Sequence, residues 1–226
     1  MERRVVPELL DSLAPDDPRA LHSRHDLRRI NGLMRNDAIM AEALKMNFNG
    51  VPKGIAELGA GDGHFLGRVA RRMAARWPGV RATLLDLQAN VSPETVEEFA
   101  KLGWRTKVVV ADVFAQPDVS TEVVVANLFL HHFENDRLVE LFKQASRRAN
   151  LFVAVEPRRA EWPLFCSRLL GAIGCNDVTR HDAVVSVRAG FTGSELSALW
   201  PDPLNWELSE HPTGVFSHRF VARRKL

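Results

Sequence analysis

The sequence predicts an α/β protein in which a mostly parallel sheet of seven strands is covered by helices on both faces. Five short apolar segments alternate with segments of helical spacing, which is typical of parallel strands joined by helices. A glycine-rich turn follows the first of these segments. Hydrophobic residues make up 46% and charged residues 26% of the 226 residues, near the average for globular proteins. We therefore expect one domain over residues 1–226.

Residues 1–50 are expected to form a helical addition before the first strand. From about Ala20 to Asn47, apolar residues recur at intervals of three and four, which is the spacing of an amphipathic helix. The dipeptide Asn31-Gly32 favours a break. The pattern predicts two helices that meet at this dipeptide.

Residues 51–157 contain the alternating part of the chain. Strands are expected at Gly54–Leu58, Arg81–Leu85, Lys107–Val110, Val123–Ala126 and Leu151–Val155. Helices are expected at Phe65–Trp77, Pro93–Leu102 and Asp136–Ala149. Ser92 precedes the second of these helices and is predicted to cap it.

The alternation ends after Pro157, and residues 158–204 are expected to form a helical insertion. Helical spacing covers Trp162–Ile173, Ala183–Val187 and Ser194–Trp200, and a polar loop is expected at Asn176–Asp182. Residues 205–226 are expected to form a strand hairpin. Its strands are predicted near Trp206–Leu208 and Phe216–Ala222, with a turn at His211-Pro-Thr-Gly214.

Composition narrows the classes of function. A formal net charge of +2 does not indicate a nucleic-acid or membrane partner, and the absence of tyrosine excludes a phenolic catalytic group. The longest apolar run, Val123–Leu130, is far shorter than the roughly 20 residues that span a bilayer. Cys166 and Cys175 belong to no Cys-x-x-Cys pair, so we expect a cytoplasmic protein without a metal site. A monomer or homodimer is expected.

The most informative stretch is Glu57-Leu-Gly-Ala-Gly-Asp-Gly63, which lies between the first strand and its helix. Alternating glycines allow positive φ angles and let a ligand approach the backbone, so a cofactor is expected there. A dinucleotide fingerprint requires a third glycine where this chain has His64. The carboxylates of Glu57 and Asp62 would also repel a pyrophosphate and suit a ligand with positive charge.

At this point the chain resembles the class I S-adenosylmethionine-dependent methyltransferases, roughly over Gly54–Val155. The resemblance implies a Rossmann-like fold and S-adenosyl-L-methionine as cofactor. It implies that the glycines approach the methionine moiety, that an acidic residue after the second strand holds the ribose, and that the residues after the third strand contact adenine. The cofactor-binding residues are then Glu57, Gly59, Ala60, Gly61, Gly63, Asp86, Leu87, Asp112, Val113 and Asn127.

His131 and His132 follow the fourth strand, where the resemblance places the sulfonium and the acceptor. A neutral imidazole there could take a proton from the acceptor, so both histidines are candidate catalytic residues. In the alternative, one ring packs at the sheet edge and the other is solvated. An acceptor that arrives as an anion would need no base.

The expected reaction is methyl transfer to an oxygen or carbon nucleophile of a small, apolar or aromatic metabolite. The layout is similar to methyltransferases of quinone and secondary metabolism. The helix from Trp162 is interpreted as an apolar lid over the acceptor or as a core helix. Nucleic-acid methylation is disfavoured because the fourth strand ends in Asn127-Leu-Phe-Leu and not in an Asn-Pro-Pro-aromatic motif. The alternative function is that of an inactive, methyltransferase-like cofactor-binding or partner protein.

Overall fold

The protein is described by a computed structural model that covers residues 1–14, 16–115 and 121–225. The helices are α1 (Leu9–Ser12), α2 (Pro18–Met34), α3 (Asn36–Asn47), α4 (His64–Met73), α5 (Pro93–Lys101), α6 (Asn135–Arg148), α7 (Glu161–Arg168), α8 (Asp177–Ala189) and α9 (Glu195–Leu199). Short 3₁₀ turns include Val113–Ala115 and Leu130–His132. The strands are β1 (Gly54–Leu58), β2 (Arg81–Asp86), β3 (Arg105–Val110), β4 (Val123–Asn127), β5 (Leu151–Pro157), β6 (Trp206–Thr213) and β7 (Ser217–Arg224).

Within the described residues, seven strands form one sheet in the order β3-β2-β1-β4-β5-β7-β6. Strands β1 to β5 are parallel, and β7 is antiparallel to both of its neighbours. The prediction of a mostly parallel sheet is confirmed. Because the strand order reverses between β1 and β4, the carboxyl ends of these two strands diverge into a crevice, which is where open α/β sheets bind ligands.

Apolar cores lie on both faces of the sheet. On one face, α3, α4 and α5 bury Met40, Leu66 and Phe99, and Trp77 and Trp104 close the core. On the other, α6 and α9 bury a group that includes Leu138, Phe142 and Leu196. Strands β1, β4 and β5 are buried along their whole length, which explains why they read as continuous apolar segments.

The first two long helices meet at Arg35, and the predicted break at Asn31-Gly32 is wrong. Asn31 and Gly32 lie inside α2, whereas Arg35 adopts a left-handed conformation with φ of 55°. The next two residues, Asn36 and Asp37, are buried in polar contacts. These tertiary contacts, which local propensity does not report, set the position of the break.

Other boundaries differ from the prediction as well. Residues 177–182, expected in a polar loop, form the first turns of α8, because the Asn176 side chain accepts the Thr179 N–H and caps the helix. The hairpin turn lies at residues 214–216, since His211-Pro-Thr213 continues β6. A proline is tolerated there because β6 is the edge strand.

Residues 1–12, called here the N-terminal segment, cross the carboxyl edge of the sheet. The guanidinium of buried Arg159 donates to the Met1 carbonyl at 2.9 Å, and that of Arg3 donates to the Phe133 carbonyl at 2.8 Å. The Asp182 carboxylate accepts the N–H groups of Leu9 and Leu10 at 2.8 and 3.0 Å. These bonds fix the segment over the crevice.

None of the helices in the described ranges combines the length and the apolar character that a membrane-spanning segment needs.

Candidate functional site

A cavity of about 1050 Å³ opens at the carboxyl ends of β1, β2 and β4. Helices α2, α7 and α8 and the N-terminal segment cover it. Its walls therefore combine the strand-end polar groups with apolar side chains of the cover, namely Leu27, Ile30, Leu33, Met34, Pro163, Leu170 and Val187.

The glycine turn, residues 59–63, forms the floor of the cavity. The φ angles of Gly59, Gly61 and Gly63 are 67°, 55° and 77°. A residue with a side chain would be strained at these positive angles. A Cβ on Gly59 would lie 2.1 Å from the ring of Phe129, and one on Gly63 would lie 2.8 Å from Leu84. Among the described residues, none has an atom within 4 Å of a Cβ built on Gly61. The outer glycines are needed for packing, and the middle one leaves open space.

Asp86 ends β2 and connects it to the glycine turn. One carboxylate oxygen accepts the Gly61 N–H at 2.8 Å and the other accepts the Gln88 N–H at 2.9 Å. The side chain lines the cavity. Since each carboxylate oxygen can accept two hydrogen bonds, Asp86 keeps acceptor capacity for a ligand that carries hydroxyl groups.

Glu57 lies below the turn and is only 1% exposed. Its Oε2 atom has no hydrogen-bond partner among the described residues, although the side chain lines the cavity. Burial and the nearby carboxylates of Asp62 and Asp86 raise the pKa of Glu57 well above its usual range. A buried oxygen without a partner is costly, and a cationic group placed in the cavity would satisfy it. This observation fits the ammonium group of an S-adenosylmethionine.

The carboxyl end of β3 supplies a side wall. Asp112 is exposed and accepts the Phe114 N–H at 2.9 Å, which starts the short turn that contains Val113. Leu87, after β2, is 70% exposed although it is apolar. Leu87, Asp112 and Val113 all line the cavity. Their role as cofactor-binding residues, which the resemblance implies, stays a prediction.

Asn127 ends β4 and is buried at the cavity wall. Its side-chain oxygen accepts a hydrogen bond from the Asn36 amide at 2.9 Å, and Asn36 accepts one from Ser217 at 2.6 Å. The next residue, Leu128, has a φ of 50°, a strained conformation for a leucine. This strained residue turns the chain toward the two histidines.

Helix α2 is held over the glycine turn by an ion pair. The Arg28 guanidinium contacts the Asp62 carboxylate at 2.7 Å, and the same carboxylate accepts the His64 N–H at 3.0 Å. Asp62 therefore joins α2 to the first residue of α4. Its contacts in this structure are structural.

His131 is buried between two carboxylates. Its Nδ1 lies 2.9 Å from the Glu156 Oε2, and its Nε2 lies 3.3 Å from the Glu8 Oε1. Burial opposes a charge on the ring, but hydrogen bonds to Glu156 and Glu8 outweigh burial and raise the pKa of His131 to about 9. A ring that is protonated at neutral pH cannot take a proton. This arrangement does not favour the expected role of His131 as a neutral base, and that role stays a prediction.

His132 is partly exposed and faces the cavity. Its Nδ1 lies 2.9 Å from the carbonyl oxygen of Phe129, and its Nε2 lies 3.5 Å from the Glu8 Oε2. Because a carbonyl only accepts hydrogen bonds, the network assigns a proton to Nδ1, and in a neutral ring the lone pair is then on Nε2. The two adjacent histidines therefore differ in hydrogen-bond partners and in exposure.

Glu8 is the site residue that the sequence analysis missed. It lies in the N-terminal segment, and its carboxylate also accepts a hydrogen bond from the Ser186 hydroxyl. Burial alone would raise the pKa of Glu8, but the contacts with the His131 and His132 rings outweigh burial and lower that pKa below its usual range. No local signal identifies this residue, because the contact joins positions 123 residues apart.

The comparisons with known proteins agree on the fold. Residues 55–150 match the family model described as a methyltransferase domain. No curated protein sequence matches the chain.

Among solved structures, the plantazolicin methyltransferase BpumL in complex with SAH is 15% identical, with a TM-score of 0.64 over 93% of this chain and 92% of that one. A putative O-methyltransferase from Nostoc punctiforme is 16% identical, with a TM-score of 0.63 over 99% and 64%. The mitomycin 7-O-methyltransferase MmcR is 17% identical, with a TM-score of 0.57 over 95% and 60%. The chain thus spans nearly all of the first structure and about three fifths of the other two.

Proposed function

Because residues 55–150 form a methyltransferase domain that uses S-adenosylmethionine, we propose that this chain methylates a small molecule bound under α2, α7 and α8. The observation that carries the proposal is the pairing of an unpartnered, buried Glu57 oxygen with the Asp86 carboxylate across one cavity. The two acids suit a ligand with an ammonium group at one end and hydroxyl groups at the other.

The proposed cofactor contacts follow the strand ends. Glu57 would accept from the ammonium group, and the backbone of Gly59, Ala60, Gly61 and Gly63 would lie against the methionine moiety. Asp86 and Leu87 would hold the ribose, Asp112 and Val113 would contact the adenine, and Asn127 would lie near the methyl group. The cofactor supplies an electrophilic methyl group on a sulfonium. The chain supplies alignment in a pocket with little water.

We propose an apolar or aromatic acceptor with an oxygen or carbon nucleophile. The part of the cavity under the cover helices is lined by Leu27, Ile30, Met34, Pro163 and Val187, which offer burial and no charge. Two of the structural neighbours are described as O-methyltransferases, which favours oxygen.

His132 is the proposed general base. A phenol-like acceptor with a pKa near 10 is ionised in about one part in a thousand at pH 7, a deficit of roughly 4 kcal/mol. The lone pair on His132 Nε2 faces the cavity and could receive that proton. His131, held as a cation by Glu156 and Glu8, would position the turn and add positive charge near the forming anion.

The free thiols of Cys166 and Cys175 accord with the cytoplasmic location that we propose. We also propose that the chain is a monomer or homodimer and has no nucleic-acid partner. Cofactor and acceptor binding that is insensitive to salt would support a small-molecule enzyme, whereas steeply salt-dependent binding of DNA or tRNA would contradict it.

The central test is calorimetric titration of the full chain with S-adenosylhomocysteine, followed by a product assay over a panel of phenolic and enolic acceptors. Asp86→Asn removes the charge that would hold the ribose and should weaken binding by about tenfold or more. Asp177→Asn, an exposed change on α8, is the matched control. Unchanged affinity in Asp86→Asn would refute the ribose assignment. Binding without turnover of any acceptor would favour the inactive cofactor-binding protein.

A further inference from the structure

Three side chains of different elements converge at the acceptor side of the cavity. Glu8 comes from the N-terminal segment, and His131 and His132 come from the 3₁₀ turn after β4. One ligand-type atom of each, a carboxylate oxygen and two imidazole nitrogens, lies within 4.8 Å of the other two. All three residues line the cavity, which connects the cluster with the space proposed for the acceptor.

The distances within this Glu8 cluster differ from those of ordinary ion pairs. A charge-assisted N–H···O bond is about 2.7–2.9 Å long. The bond between His131 Nδ1 and Glu156 has this length, at 2.9 Å. The two Nε2 contacts with Glu8 are longer: the His131 atom lies 3.3 Å from Oε1, and the His132 atom lies 3.5 Å from Oε2. Ligand atoms bound about 2.1 Å from one tetrahedral ion lie about 3.4 Å apart.

The contacts of the two Nδ1 atoms orient the rings of His131 and His132 as in metal sites. A metal-bound histidine usually donates its second ring N–H to a carboxylate or a carbonyl, which fixes the ring and its tautomer. His131 Nδ1 pairs with Glu156, and His132 Nδ1 pairs with the Phe129 carbonyl. Both Nε2 atoms are thereby directed at Glu8. The Ser186 hydroxyl holds the Glu8 carboxylate in turn.

We propose that Glu8, His131 and His132 bind one divalent first-row transition metal ion, with an open coordination position toward the acceptor. Two imidazoles and one carboxylate suit Zn²⁺, Co²⁺ or Fe²⁺ and not Mg²⁺ or Ca²⁺, which prefer oxygen ligands. Three protein ligands with a free position are typical of catalytic sites. The ion would replace the proton that His131 Nε2 shares with Glu8.

The consequence for the reaction rests on the proposed function. An acceptor hydroxyl in the open position would lose its proton to solvent more easily, because the cation stabilises the anion. His132 Nε2 would then be a ligand and could not also be the base. With the ion bound, no protein base would be needed, because the cation would lower the pKa of the hydroxyl and solvent would take the proton. With the ion removed, His132 would be the base.

The test is a titration of the full chain with Co²⁺ after chelator treatment, followed by the visible absorption bands of tetrahedral cobalt and by calorimetry with Zn²⁺. We expect one ion per chain. Glu8→Gln, which keeps the shape of the side chain, and His132→Ala, at a partly exposed position, should each weaken binding at least tenfold. His25→Ala, at an exposed position on α2, should leave binding unchanged.

Absence of one-to-one binding in the unaltered chain would overturn the inference, as would binding that Glu8→Gln and His132→Ala leave intact. A melting curve for each variant distinguishes a lost ligand from a lost fold. Titration with S-adenosylhomocysteine separates the two proposals: a chain that binds this compound without binding cobalt retains the proposed function and loses the metal site. The reverse result leaves the metal site and removes the proposed function.

Discussion

The glycines of the turn at residues 59–63 share a backbone conformation but have different surroundings. Alanine at Gly59 therefore tests packing together with backbone strain, and alanine at Gly61 tests backbone strain together with access of a ligand. Gly59→Ala would push a methyl group into the Phe129 ring, at 2.1 Å. Gly61→Ala would place it in the open cavity. We expect the first variant to lose about 2 kcal/mol or more of unfolding free energy, because overpacking adds to backbone strain.

Gly61→Ala should lose only the strain, about 1–2 kcal/mol, and should lose affinity for S-adenosylhomocysteine. Gly79→Ala is the control, since Gly79 has a φ of 71° and lies outside the cavity. Chemical denaturation and calorimetry measure the two effects. Equal loss of stability in Gly59→Ala and Gly79→Ala would contradict the packing role.

We expect Glu57 to lower the stability of the ligand-free fold at higher pH and to strengthen binding of the cofactor. Folding raises its pKa, so in the ligand-free chain its contribution to stability is present at low pH and is lost as the pH rises through the raised pKa. Gln cannot ionise. The melting temperature of Glu57→Gln relative to the unaltered chain should therefore increase between about pH 5 and about pH 8.

The same substitution should weaken binding of S-adenosylhomocysteine, because a charged partner for the ammonium is lost, by roughly 10- to 100-fold. Thermal melts at the two pH values and calorimetry at the upper one provide the measurements. A variant that melts lower at both pH values while it binds normally would show that Glu57 has only a packing role.

Among the elements, the N-terminal segment depends most on a single side chain. The buried Asp182 carboxylate of α8 accepts the N–H groups of Leu9 and Leu10 and positions Glu8, one residue earlier. Asp182→Asn should cost about 1–3 kcal/mol, since an amide replaces the charged acceptor. It should also speed tryptic cleavage after Arg3 and Arg4. Mass spectrometry of timed digests measures the cleavage rate, with Asp177→Asn as control. Equal cleavage rates in Asp182→Asn and the unaltered chain would refute the anchoring role.

Elements with a repeating pattern were predictable, and elements fixed by tertiary contacts were not. β1 was predicted at its observed residues because its sequence is apolar apart from Glu57, as expected of a strand that is buried along its whole length. The Ser92 cap was predicted because its side chain acts on Thr95, three residues away. The break at Arg35 depends on partners of Asn36 and Asp37 that lie far along the chain, such as Asn127 and Arg68.

The residues of the candidate site also divide into those that a sequence pattern predicts and those that only tertiary contacts bring there. Residues at strand ends, such as Asp86 and Asn127, could be assigned to one edge because parallel strands share a direction. Glu8 could not, because it reaches the histidines only through the crossing of the N-terminal segment over the sheet. The raised pKa of His131 also escaped prediction, since it depends on Glu156 and Glu8 together.

At the scale of the whole molecule, ligand binding at the crevice should stabilise the entire fold, because one cavity joins the strand ends to α2, α7, α8 and the N-terminal segment. A ligand at about 100 times its dissociation constant adds about 2.7 kcal/mol. For a chain of this size, each kcal/mol raises Tm by about 2–4 °C. We therefore expect S-adenosylhomocysteine to raise Tm by about 5–10 °C.

A nicotinamide dinucleotide at the same concentration is the control for the cofactor class, because the carboxylates of Glu57 and Asp62 disfavour its pyrophosphate. It should leave Tm unchanged. Asp86→Asn should need at least tenfold more S-adenosylhomocysteine for the same shift. Differential scanning fluorimetry over a concentration series gives both results, and a shift with the dinucleotide alone would assign the crevice to a different cofactor and remove the basis for methyl transfer.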